Sequence, residues 1–116
     1  MIFINDVIAE HLKTNESVIV FKFYRRHATG NREEIKIRDN NNKINKFGKC
    51  IVRPVREDII TEYEYDLKKT LKLYVANSGF NNVDEWFKFI DNDLQRDDSI
   101  GGYLYKIERL YLYDWD

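Results

Sequence analysis

The side chains with the most capacity for chemistry in this chain are cations, and they are concentrated. Residues 22–56 hold eleven Lys and Arg against three acids, Glu33, Glu34 and Asp39, a balance of +8. Residues 57–116 carry a balance of −7, so the total of −1 describes neither half. Guanidinium and ammonium groups gathered on one face attract phosphate whatever the net charge of the molecule. Arg25, Arg26, Arg32, Lys36, Arg38, Lys43 and Lys46 are therefore candidate nucleic-acid contacts. Tyr24 and His27 stand among them and would lie against a base, as aromatic rings do on single strands. The opposing expectation is a solvated strand face, in which Lys36 and Arg38 pair with Glu34 for only ~0.2–1 kcal/mol each.

Other reactive groups are sparse. Cys50 is the one cysteine; flanked by Lys49 and Ile51 in an apparent strand, it reads as a small core residue. With no second cysteine, only His11 and His27 are left to complete a metal site with it, and the core reading leads. Glu57 with Asp58, or Glu62 with Glu64, would supply paired carboxylates for acid–base work, yet alternate acids on a strand mark a wetted face. Asp91, Asp93, Asp97 and Asp98 lack the glycine and closing glutamate of a calcium loop and read as an acidic turn. No P-loop, dinucleotide fingerprint or zinc spacing is present, so no metal and no cofactor is expected.

These groups need a scaffold. At 116 residues with 43% hydrophobic content the chain is expected to form one domain over 1–116. No apolar run reaches the ~18–20 residues of a membrane span, and Met1–Ile4 shows no basic leader. With a single thiol, this predicts a cytoplasmic protein with no membrane contact. The spacing of Val7, Ile8, His11 and Leu12 predicts a helix over 5–13 capped by Asn5. Strands are expected at Ser17–Tyr24, at Glu33–Arg38 with Ile35 and Ile37 facing inward, and at Lys49–Arg56 after Gly48. Pro54 places an edge or a bulge in the last of these.

Asp39–Lys46 reads as a polar loop, and Ile59–Tyr65 as a continuation of the sheet. Two helices follow: Asp66–Asn77, capped by Asp66 and stopped by Gly79, and Asn82–Asn92, with Asn82 and Glu85 as a capping box. After a turn at Asp97–Gly102, Tyr103–Tyr113 is a closing strand with Tyr103, Tyr105, Ile107, Tyr111 and Tyr113 on one face. Trp86, Phe87, Tyr103 and Tyr105 are expected in the core. The order of elements gives an α+β domain.

Three stretches resemble the ASCH domain, a member of the PUA-like β-barrel superfamily. They are Gly30–Asp39 with Gly48 nine residues on, Tyr74–Trp86 around Gly79-Phe80, and Gly102–Leu110. An alternative register makes Glu16–Arg25 the signature strand, with 26–46 inserted. The resemblance implies a small, partly open β-barrel of five to six strands with two to three flanking helices. It also implies action on RNA or modified nucleosides. Family members that hydrolyse N4-acetylcytidine imply a lysine, a threonine and a glutamate. Those places hold Arg32 or Glu33, Ile35 or Lys36, and Gly79 here. An arginine stays protonated and is a poor proton shuttle, so the resemblance supports the barrel more than the reaction. The expectation is an RNA- or other nucleic-acid-binding domain without catalysis. The alternatives are an amidohydrolase acting on an acylated nucleoside, and a protein-interaction module whose aromatic side chains anchor a protein partner.

Overall fold

The computed structural model describes residues 1–39, 41–92 and 101–113. Ile2 and Ile4 alternate inward along β1 (Ile2–Ile4), and Asn5 then turns the chain into α1 (Asp6–Thr14). Its Oδ1 accepts the Ile8 N–H at 2.9 Å, the capping bond that the sequence predicts, and α1 buries Ile8, Ala9 and Leu12. The β-branched runs form β2 (Ser17–Lys22), β3 (Arg32–Arg38), β4 (Ile44–Ile60) and β5 (Gly101–Leu112). They join in one sheet of order β1-β3-β4-β5-β2, with β1 parallel to β3 and every other pairing antiparallel. The domain is α+β: a five-stranded half-barrel with three helices, open along a seam whose two lips are β1 and β2.

Both faces of this sheet are used. The inner face gathers Val18, Val20, Ile35, Ile37, Phe47 and Ile107 against α1. The outer face is covered only in part, where α2 (Glu64–Leu71) and α3 (Val83–Asn92) pack Leu67, Leu71, Trp86 and Ile90 on Ile19, Phe21, Ile59 and Leu104. Trp86 and Tyr105 are fully buried, whereas Phe87 and Tyr103 lie at the margins of the two cores. Cys50 is a buried core thiol, as its strand context predicts.

Several boundaries differ from the sequence expectation, each for a local reason. The Asp39–Lys46 loop is shorter: Asp39 Oδ1 accepts the N–H groups of Asn41 and Lys43 at 2.9 and 2.8 Å, a tight turn from which β4 starts at Ile44. Lys46 is thus a strand residue. β4 runs on through Pro54 to Ile60, with a register shift between Pro54 and Arg56, so the proline sits at a bulge past the end of β3.

Ile59 and Ile60 do continue the sheet, but Glu64 belongs to α2, which starts two residues before Asp66 and stops at Leu71. A single 3₁₀ turn at Val75–Asn77 follows. Gly79 has φ +86°, and a Cβ there would meet His11 Cβ at 3.1 Å and Val7 O at 3.2 Å. The expected alternation of Tyr103–Tyr113 fails beyond Ile107. Cys50 pairs with Arg109 but Lys49 with Tyr111, so Leu110 is an extra residue that reverses the inward side. Leu112 therefore packs on the inner core and Tyr111 is exposed. Of the expected Asp97–Gly102 turn, 97–100 lie outside the described residues, as do Asp93, Asp97 and Asp98; Gly101 and Gly102 open β5.

Candidate nucleic-acid interface and seam cleft

Alternation along β3 sends Ile35 and Ile37 inward, so Arg32, Glu34, Lys36 and Arg38 project from the outer face that α2 and α3 leave bare. The register extends this row across the sheet. Lys36 stands between Phe3 of β1 and Lys46 of β4, and Lys49 stands between Glu34 and Tyr111. Glu34 is the carboxylate in their midst, 3.6 Å from Lys49 and 3.9 Å from Lys46. Among the described residues no carboxylate lies within ion-pair distance of Arg32, Lys36, Arg38 or Lys43. Lys36 opposite Lys46 is a like-charge cross-strand pair, an arrangement that costs stability.

The remaining sequence candidates are placed differently. Arg26 turns inward: its guanidinium pairs with Glu33, which also holds the N-terminal ammonium at 3.5 Å, and its N–H donates to the Tyr105 hydroxyl at 2.7 Å. Arg25 is exposed and pairs with Glu57 at 3.4 Å. Tyr24 and His27 are exposed on the segment after β2, and Lys43 lies in the turn between β3 and β4. The structure therefore collects Arg32, Lys36, Arg38 and Lys46 on one face, and it commits Arg26 to the barrel interior. Of the positions matching the hydrolase resemblance, Ile35 is core and Gly79 packs on α1. Among the described residues no three His, Cys, Asp or Glu groups gather as a metal site.

Arg38 marks where this face meets the seam. Its guanidinium lies over the Phe3 ring, 5.5 Å from the centroid, and both line a cleft of about 420 Å³ between β1 and β2. Phe21, Trp86 and Phe89 form its apolar wall, and Asn5 brings the first turn of α1 to its rim. Lys22 enters from the opposite lip, its Nζ donating to Phe3 O at 3.3 Å. Burial, aided by the like charge of Arg26, pulls the Lys22 ammonium down from 10.5 to about 8. Cys50, by contrast, is pushed up to about 12, by burial first and then by Glu33, which leaves an inert thiol.

Sequence reasoning missed Lys22, Phe3 and Tyr111 as site residues. Lys22 carried a signal, being the one charge inside the apolar run Ser17–Tyr24. Phe3 and Tyr111 carried none, because their outward facing depends on the pairing of β1 and on the Leu110 bulge. Among the described residues no helix is long and apolar enough to cross a membrane. No family model matches this chain, and neither a curated protein nor a solved structure matches it.

Proposed function

We propose that this protein binds single-stranded nucleic acid, RNA in the first instance, along the bare outer face of β3 and β4. The observation that carries the reading is the row Arg32, Lys36 and Arg38, none with a carboxylate within ion-pair distance among the described residues, with Lys36 set opposite Lys46, which Glu34 reaches only at 3.9 Å. Folding gains nothing from two opposed ammonium groups, whereas a phosphate between them would remove their repulsion. Successive outward side chains of a strand are about 7 Å apart, so the row offers several contacts to an extended backbone. Tyr111, 47% exposed beyond Lys49, and Phe3 beside Lys36 supply rings on which bases would stack. The half-barrel supports the same reading, since it is the scaffold that the ASCH and PUA-like resemblance implies, and kinship with that superfamily is part of the proposal.

The test is fluorescence anisotropy with labelled oligouridine at 50 to 200 mM salt, which should show affinity falling steeply as salt rises. Replacing Lys36 or Arg32 by Ala should lower the slope of log K against log salt by about one each. Tyr111→Ala should weaken binding about tenfold while leaving that slope in place. Absence of binding at the lowest salt, or a slope unmoved by Lys36→Ala, refutes the proposal.

A further inference from the structure

The seam cleft carries an inference that does not rest on the sheet-face reading. Among the described residues its two cations come from opposite lips of the half-barrel, Lys22 from β2 and Arg38 from the end of β3 beside β1. Neither has a carboxylate within ion-pair distance among the described residues. The one acid lining the cleft among the described residues, Asp39, has its Oδ1 turned to the N–H groups of Asn41 and Lys43. Lys22, which lines the cleft, spends one N–H on Phe3 O and keeps two further donors. The first turn of α1, a nine-residue helix, reaches the same rim through Asn5 and adds its positive end. Around these groups the lining is aromatic, from Phe3, Phe21, Trp86 and Phe89.

A desolvated ammonium facing a cavity is costly to keep unless something anionic offsets it. The single bond to Phe3 O leaves the charge itself unpaired among the described residues, a cost that an apolar side chain at the end of β2 would avoid. We propose that the seam cleft is a binding site for a small aromatic anion, a ring joined directly or through a sugar to a phosphate or carboxylate group. The anionic group sits between Lys22 and Arg38, and the ring lies against Phe3 and Phe89. Charge-assisted hydrogen bonds from an ammonium and a guanidinium fix the anionic end, and the aromatic wall contributes the rest of the affinity. About 420 Å³ is the scale of a site for a ligand of one or two rings.

The experiment is an NMR titration of the full chain, following Lys22, Arg38, Phe89 and the Trp86 indole. The probes are uridine 5′-monophosphate, 4-hydroxybenzoate, uncharged uridine and inorganic phosphate. The proposal expects saturable shifts at these residues with at least one of the two aromatic anions. Which of them saturates tells phosphate from carboxylate. Uridine and inorganic phosphate should each bind about tenfold more weakly, having only half of the recognised features. Lys22→Met should weaken the anion about tenfold or more, and Lys22→Arg should restore most of the loss. Arg38→Gln, an exposed position outside the core, gives the same readout should Lys22→Met not fold. The proposal is overturned by absence of saturation with both anions up to about 10 mM. It is equally overturned by uridine binding as tightly as its monophosphate, or by affinity unchanged in both the Lys22 and the Arg38 variants.

Discussion

Lys22 Nζ donates to the main-chain oxygen of Phe3 at 3.3 Å, and this bond ties the two edge strands of the half-barrel to each other. Closing a sheet completely would pair the backbones of β1 and β2 and leave no cleft. Here a long side chain spans the gap instead, and a cleft of about 420 Å³ stays open beside it. The same geometry buries the ammonium that holds it.

That burial sets a pH dependence. The unfolded chain keeps its Lys22 proton up to about 10.5, the folded protein only to about 8. Between these values the unfolded state holds the extra proton, so stability rises with pH there, by at most about 1.4 kcal/mol per unit. Above 9 the raised Cys50 thiol acts oppositely, since the folded state then holds the extra proton. Urea unfolding from pH 7 to 9 should therefore show an increase of about 1 kcal/mol between 8 and 9. Lys22→Met should lack that increase and be more stable at pH 7 by about 1–3 kcal/mol. Parallel pH profiles for the two proteins contradict this account.

Glu33 should matter more to folding than any surface carboxylate. Its side chain is 12% exposed, and it answers both the Arg26 guanidinium and the N-terminal ammonium. Arg26 Nε is buried with no hydrogen-bond partner, so the pair already has little to spare. Glu33→Gln keeps the shape and leaves Arg26 uncompensated, at a cost of about 1–3 kcal/mol. Glu57→Gln, which removes only the exposed partner of Arg25, should cost about 0–0.5 kcal/mol. Equal effects in denaturant titrations would remove the interior role assigned to Arg26.

The bulged centre of the sheet gives a third test. Gly48 lies between Ile35 and Leu112, and a Cβ there would stand 2.4 Å from the main-chain oxygen of Tyr111. Backbone cannot yield as a flexible side chain does, so Gly48→Ala should cost about 2–4 kcal/mol. Gly30 has φ +81° with open space where a Cβ would stand, so Gly30→Ala should cost only about 1 kcal/mol, from backbone strain alone. A Gly48→Ala protein as stable as Gly30→Ala would show that β4 and β5 do not approach this closely.

Much of the fold was legible because it rests on local rules. Asn5 as a cap, the inward pair Ile35 and Ile37, the bulge at Pro54 and the stripe of Trp86 and Ile90 each follow from a residue's own geometry and its near neighbours. The concentration of charge in 22–56 was likewise plain from composition. Tertiary structure alone decided how those charges divide. Arg26 turned inward because Glu33 waits across the barrel mouth, while Lys36 met Lys46 because the bulge at Phe47 set the register of β4. Tyr111 faces outward through an extra residue that no pattern of alternation announces. Lys22 and Arg38, sixteen positions apart, share a cleft because the sheet curves until its first two strands nearly touch. Periodicity specifies which side of a strand is wet; which strands become neighbours is a property of the whole chain's burial, and that placed the site.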